Sequence, residues 1–477
     1  MIKKLIRRIL GKPAADPTQP VILGPEEHRI RPELVSPNAV RVTQTLQAEG
    51  YKAFLVGGAV RDLLLGIPPK DFDIATNATP EQVKRLFRRA FIIGRRFQIV
   101  HVMFGQELLE VTTFRGSSSE AAPRDEHGRV LRDNTFGEQH EDALRRDFTI
   151  NAMYYDPATQ QVLDYHGGIE DIRAKTLRII GVPEERYRED PVRMLRVVRF
   201  AAKLGFEIDP AARAPISVMA PLLNNVPAAR VFDEMLKLLM SGQAMACLER
   251  LRSEGLHHGL LPLLDVVMEQ PLGERFVRLA LDNTDARIKA GKPVSPGFLF
   301  ASLLWHQALE KWRAYQAAGE LPIPALHMAA DDVLNGQTEK LALQRRIASD
   351  MRDIWAMQPR FERRTGKSPY KLIEHPRMRA GYDFMLLRCA SGEIDAEIGE
   401  WWTAFIEGDG ATREELLTRK PRTEGDAPAK KRRRSRSRNR NAAGGASGSN
   451  GASAENAGNE AQGGARTGEP VTRDNVE

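Results

Sequence analysis

The chain has 477 residues, 42% of them hydrophobic, which allows sizeable cores and two to four domains. Its two cysteines, Cys247 and Cys389, exclude a disulfide framework and a cysteine-built zinc site and point to a reducing cytoplasm. No apolar run reaches the roughly 18 residues of a membrane span, and a formal net charge of +7 fits a polyanionic partner.

Met1 to Lys12 reads MIKKLIRRILGK, with Ile2, Leu5, Ile6 and Ile9 at helical spacing among four basic residues. It lacks the apolar core of a secretory signal. It is either a frayed basic terminus or a short amphipathic helix for anionic lipid or RNA. Residues 13–37 carry prolines and little periodicity. Residues 1–37 are therefore expected to be a flexible N-terminal segment.

From Asn38 the pattern is mixed α/β. Phe54-Leu55-Val56 reads as a strand ending at Gly57-Gly58, and Ala59 to Leu65 as a short helix. Asp71 to Ile74 opens the next strand. Thr79-Pro80-Glu81 reads as a helix start, with Thr79 as cap. Ile99 to Phe104 and Leu108 to Phe114 form a hairpin around Gly105-Gln106. Residues 116–141 are polar and predict a mobile loop. After Gly167-Gly168 the chain turns helical. Met194, Val197, Val198, Ala201 and Leu204 make the apolar stripe of a helix over 191–204, and helical patterns continue to about Ile406. From about Gly425 the sequence cannot bury enough apolar surface to fold alone. Lys430, Lys431, Arg432, Arg433 and Arg434 open a basic run to Arg440. The segment after Lys420 holds eleven Lys/Arg against seven Asp/Glu, so the part before it is only mildly basic. Each cation near a phosphate releases a counterion, so the tail reads as RNA-attracting.

Several residues carry chemistry. Gly57-Gly58 before a helix lets backbone N–H groups approach a triphosphate, although such a pair is usually just a tight turn. Asp71 and Asp73, two apart on a strand, share a face. Paired carboxylates repel unless cations such as Mg²⁺ sit between them; the alternative is two solvated acids at an edge. A third carboxylate is either Glu110, in an otherwise apolar strand where burial demands a partner, or Asp147, which could instead pair with Arg145 or Arg146. Glu189 and Arg193 are four apart, with Arg196 beyond them. They read as a plain ion pair, or as an acceptor and a donor fork for a nucleobase edge.

These blocks, in order, resemble the class II nucleotidyltransferases, which include bacterial poly(A) polymerases and tRNA CCA-adding enzymes. The matching segments are GGAVRDLLLG (57–66), DFD (71–73), EVTTFR (110–115), RRDFTINAM (145–153), DYHGG (164–168) and EDPVRMLRVVRFAAKLGF (189–206), followed by PAARVFDEMLKLL (227–239). The resemblance covers residues 38–240. It implies an α+β nucleotidyltransferase head like that of DNA polymerase beta, then all-α neck and body domains and a disordered basic tail. The implied borders are head 38–166, neck 167–240, body 241–410 and tail 411–477.

The resemblance also implies roles. Asp71 and Asp73 would bind two Mg²⁺ ions, with Glu110 the favoured third carboxylate. Gly57, Gly58 and Arg61 would hold the triphosphate of ATP. Arg146, Asp147 and Asn151 would bind ribose or phosphate and brace the site. Glu189, Asp190, Arg193 and Arg196 would read the incoming base in place of a template. Ile93 to His101, including Arg95 and Arg96, and Glu374 to Asp383 are similar to stretches of bacterial poly(A) polymerases. With the basic tail, they favour adenylate addition to single-stranded RNA 3′ ends, promoting RNA decay with other decay proteins. The alternatives are a CCA-adding enzyme, or a non-catalytic RNA-binding protein. One departure is Val197, where many relatives have Ala; it lies on the apolar stripe, away from the chemistry.

Overall fold

Alternating side chains decide the head. The computed structural model describes residues 18–94, 98–116, 135–256, 271–341 and 343–418. Its strands are β1 (Val21–Leu23), β2 (Ala53–Val56), β3 (Asp73–Thr76), β4 (Ala90–Ile93), β5 (Ile99–Phe104), β6 (Glu107–Thr113), β7 (Met153–Asp156) and β8 (Gln161–Asp164). They form one sheet in the order β1-β8-β7-β2-β3-β6-β5-β4. The β3–β6 pair is parallel and the other pairs are antiparallel.

Side chains of period two sort onto two faces. Leu55, Ile74, Val100, Val102, Leu109 and Val111 point backward into a core closed by helices α1 (Pro37–Ala48) and α3 (Pro80–Leu86). Leu55 has no exposed surface, and truncating such a residue to Ala costs about 2–5 kcal/mol. The front face carries a smaller core of Val56, Ala75, Phe114, Ala143 and Tyr154. The strand after Asp71 and the helix start at Thr79 follow the sequence reading closely. Thr79 caps α3, accepting from the Gln82 N–H while Gln82 returns the bond.

The N-terminal expectation is corrected. Residues 21–37 are not a flexible lead-in, because Val21 to Leu23 pair with β8 and His28 is buried against Tyr155, their rings 5.8 Å apart. A three-residue strand between prolines is too short to show alternation. Met1 to Lys12 lies outside the described residues. The loop expectation is corrected in part: residues 117–134 lie outside the description, but Arg115 bridges Phe136 and helix α4 spans Gln139–Arg145. At its start the Glu138 N–H donates to Glu141 Oε2 at 2.8 Å. Its polar sequence hid it, because only one side packs on the sheet.

Beyond the head the described chain is mostly helical, but the expected all-α neck is corrected: Thr176–Leu177 and Glu207–Ile208 pair as a small parallel sheet. A single buried cluster runs from Phe148 through Phe232, Phe300 and Trp355 to Leu387, so the core has no break at the expected neck–body border of 240/241. A second cluster, around Phe361, Trp402 and Phe405, gathers the last helices. The expected tail border at 411 is also corrected. Gly410–Thr418 is a helix, and Trp401 Nε1 donates to Leu416 O at 3.3 Å. The basic residues Lys430 to Arg434 lie outside the described residues. No described helix is long and apolar enough to cross a membrane.

Candidate active site

Where β2 ends, Gly57 takes φ +74°, a conformation that strains any residue with a side chain. A Cβ there would also stand 3.6 Å from both Asp73 Oδ2 and Arg146 Nη1. The turn passes between an acid and a guanidinium, and the backbone angle rather than crowding calls for glycine. Helix α2 (Gly58–Leu64) starts at once and carries Arg61.

Asp73 is the first residue of β3. It pairs with Val56 on one side and with Glu110, in parallel register, on the other. Asp71 is exposed and precedes the strand rather than lying in it. Burial, and then the negative charges of Glu110 and Asp71, push Asp73 up to about 6, against the pull of Arg146. Glu110 was expected to be buried and is not: its side chain is 44% exposed, with Oε1 3.5 Å from His101 Nε2. It stands on the front face, in register with Asp73. Among the described residues, no three acids, histidines or cysteines stand close enough to enclose an ion as they are. The donor chemistry still fits one: hard carboxylate oxygens, mutually repelling, on adjacent strands.

Asp147 lies elsewhere. Its Oδ2 accepts from Arg196 Nε at 2.9 Å, and its Oδ1 from Phe148 N–H at 2.9 Å and Asn151 Nδ2 at 3.3 Å. Burial alone would raise this carboxyl, but Arg196 and those donors hold it below the usual range. Neither Arg145 nor Arg146 is its partner. Arg146 turns to Asp142 Oδ2, 2.9 Å away, and lies over the Tyr154 ring.

A polar chain links the head to the helices. Arg61 is buried; it donates to Asp62 Oδ1 and, through Nη1 at 2.7 Å, to Asn151 Oδ1. Asn151 leads to Asp147, and Asp147 to Arg196 on helix α6 (Val192–Leu204). Arg196 and Arg199 reach Glu234 at 3.8 and 2.6 Å. Glu234 sits in helix α7 (Ala228–Leu239). The guanidinium groups of Arg61, Arg196 and Arg199 all face the Phe200 ring, at 5.2, 5.6 and 4.3 Å. Arg61 is thus engaged by Asp62, Asn151 and the Phe200 ring.

The base-reading candidates straddle a helix break. Glu189 ends helix α5 (Pro183–Glu189), Asp190 is extended, and Arg193 lies in α6. Glu189 and Arg193 do meet, at 2.7 Å, but from two helices rather than one face. Pro191 imposes the break, because it lacks an N–H and disfavours helix in the residue before it. Asp190 Oδ2 accepts from Arg230 Nη2 at 2.9 Å, while Oδ1 is buried with no hydrogen-bond partner. Arg193 Nη1 also donates to Arg186 O at 2.8 Å.

Poly(A) polymerase I of Salmonella typhi is 44% identical to this chain over 423 residues, which make up 85% of this chain and 91% of that enzyme. The chain belongs to the poly(A) polymerase family. Residues 53–178 match the family model "Poly A polymerase head domain", residues 205–268 "Probable RNA and SrmB- binding site of polymerase A", and residues 318–440 "Polymerase A arginine-rich C-terminus". The CCA-adding enzyme of Enterococcus faecalis is 39% identical over 203 residues only, 42% of this chain and 48% of that one. The crystal structure of the Bacillus stearothermophilus CCA-adding enzyme in complex with CTP aligns at 29% identity with a TM-score of 0.50, covering 80% of this chain and 82% of that one. Sequence likeness to the Enterococcus CCA-adding enzyme thus covers under half of this chain, whereas likeness to the Salmonella poly(A) polymerase I covers 85% of it.

Sequence reasoning missed several residues of this candidate site. Asp142 holds Arg146, and its position four residues earlier was the available signal. Arg186 Nη2 donates to the carbonyls of Arg145 and Arg146 at 2.9 and 2.7 Å, tying α5 to the head; no spacing announces a bond over forty residues. Arg230 and Glu234 lay inside a quoted block, one helical turn apart, and were given no role. Arg95 and Arg96 lie outside the described residues.

Proposed function

We propose that this member of the poly(A) polymerase family transfers AMP from ATP to RNA 3′ ends without a template and releases pyrophosphate. The observation that carries the reading is the 44% identity to poly(A) polymerase I over 85% of the chain. The carboxylate row beside a glycine turn supports it.

Asp71, Asp73 and Glu110 would hold Mg²⁺. Ions bound there would make the RNA 3′-hydroxyl more acidic and offset charge on the triphosphate and the leaving pyrophosphate. The chain's own residues do the rest. Gly57 and Gly58 let the backbone approach the triphosphate. Arg146, held by Asp142, presents a fixed cation beside Asp73. Arg61, Asn151, Asp147 and Arg196 keep the head and the base-reading residues in one alignment. Asp190 offers a free acceptor oxygen to the amino group of adenine, and Arg193 a donor beside it. Positioning and charge neutralisation supply most of the rate enhancement.

We further assign the partner as single-stranded RNA, met by Arg95, Arg96 and the basic run Lys430 to Arg434, and the place as the cytoplasm. The added tail gives exonucleases a foothold, so the activity promotes RNA decay. The test is extension of a labelled RNA with Mg²⁺ and ATP, CTP or both, on an unstructured oligonucleotide and on a tRNA without its CCA end. A long ladder with ATP alone on the unstructured RNA is expected. Three additions that need CTP and occur only on the tRNA would replace the reading with CCA addition.

A further inference from the structure

The front face of the sheet does not end at the carboxylates. In register, Asp73 on β3, Glu110 on β6, His101 on β5 and Phe91 on β4 stand side by side across four strands. Neighbouring strands lie about 4.8 Å apart, so Phe91 is about 10 Å beyond Glu110. Behind these strands α1 and α3 close the core. In front, Phe91 is 52% exposed and Ile93, two residues on, 47%. Leu108, two residues from Glu110 on the same side, is exposed as well. Arg88 and Arg89 immediately precede β4; both are exposed and neither makes an ion pair among the described residues. An aromatic ring, two aliphatic side chains and free cations thus extend a row that begins at the acids.

We propose that this surface seats the 3′ end of the RNA acceptor. Terminal bases stack on Phe91 and its aliphatic neighbours, Arg89 meets a backbone phosphate, and the 3′-hydroxyl reaches Asp73 and Glu110. The inference rests on the adenylate-transfer reading above. A ring on a sheet face accepts every base, because every base has a π-face. Such a surface suits an acceptor of no fixed sequence and an end whose last base becomes adenine after the first addition. The opposite arrangement, a pocket lined with hydrogen-bonding groups, would select one base.

The test measures extension of an unstructured RNA oligonucleotide by the full chain, with RNA varied at saturating ATP and Mg²⁺ and ATP varied at saturating RNA. It compares the unmodified chain with Phe91→Ala, Phe91→Trp and Arg89→Ala, and follows each by sedimentation. Phe91→Ala is expected to raise the KM for RNA on the order of tenfold, leaving the KM for ATP and kcat near their original values, with recovery in Phe91→Trp. Arg89→Ala should lower the salt slope of RNA binding by about one. An unchanged KM for RNA in Phe91→Ala overturns the proposal. So does an altered sedimentation without a change in RNA KM, which would make the face a contact between two copies. Equal losses in RNA KM, ATP KM and kcat would mark Phe91 as a structural residue only and overturn it too. If the unmodified chain extends no RNA, the activity reading falls and this inference falls with it, an outcome separate from all the others.

Discussion

Arg230 Nη2 donates to Asp190 Oδ2 at 2.9 Å, and that bond leaves Asp190 Oδ1 buried and unoccupied. One oxygen is fixed by Arg230 and the other has no hydrogen-bond partner. A buried acceptor without a partner is costly, and a nucleobase amino group would relieve it. Replacing Arg230 with Ala should let Asp190 rotate toward water. The KM for ATP is expected to rise about tenfold, with weaker preference for ATP over the other nucleotides, because a site that hydrogen-bonds its substrate discriminates most sharply. Initial rates with each nucleoside triphosphate on one RNA measure this. Unchanged preference would mean that Asp190 does not read the base.

Two carboxylates are candidates for the third acid beside Asp71 and Asp73, and their surroundings separate them. Glu110 is half exposed on the open face, whereas Asp147 is held by Arg196. Glu110→Gln should reduce the rate on the order of a thousandfold, the equivalent of several kcal/mol, without changing the thermal midpoint. Asp147→Asn should lower stability by about 3 kcal/mol, because it leaves a guanidinium short of its charge partner. Parallel rate and melting measurements decide; the reverse pattern would reassign the two residues.

Glu234 joins Arg199 at 2.6 Å and lies within 3.8 Å of Arg196. Glu234→Gln keeps the shape and removes the charge. Its expected effect is a loss of about 3 kcal/mol in stability, accompanied by a higher KM for ATP, since Arg196 helps fix α6. Melting curves and ATP titrations on the same preparation test it. A fall in stability alone would confine Glu234 to packing.

Asp142 sets an acid limit for the head. Burial alone would raise its carboxyl, but the Arg146 charge, the Tyr154 hydroxyl and the Arg115 N–H together hold it below its ordinary value. The folded pKa is therefore the lower one. The stability it contributes is fully present above the unfolded value of about 4 and is lost as the pH falls through the folded value. Acid unfolding followed by fluorescence should begin below about pH 4, and Asp142→Asn should unfold more easily at neutral pH and show a flatter profile there. A variant as stable as the original chain at pH 7 would refute this.

Deleting residues 425–477 should weaken RNA affinity and reduce the slope of log affinity against log salt, because the basic run from Lys430 contributes counterion release. An unchanged slope would remove the tail from the RNA-binding surface.

Much of this site was legible because its residues sit at periodic spacings. The hairpin over 99–113, the cap at Thr79 and the apolar stripe of α6 all follow from patterns of two or of 3.6 residues. The parallel pairing of β3 with β6 was not legible, yet that pairing alone sets Glu110 beside Asp73. Local sequence does not encode which strand lies next to which. The same holds for Arg61, whose hydrogen bond to Asn151 spans ninety residues of chain. Glu189 and Arg193 misled in another way: the spacing was right, but Pro191 divides the helix they were assigned to.

The short strand Val21–Leu23 has a practical consequence. It is the outermost strand on its side of the sheet and covers β8. A shortened protein that began at Asn38, where the mixed α/β pattern starts, would bare the N–H and C=O groups of β8 along a free edge. Free edges recruit strands from other molecules. Such a fragment would keep Asp71, Asp73 and Glu110 and still be expected to aggregate, so the smallest workable head starts before Val21.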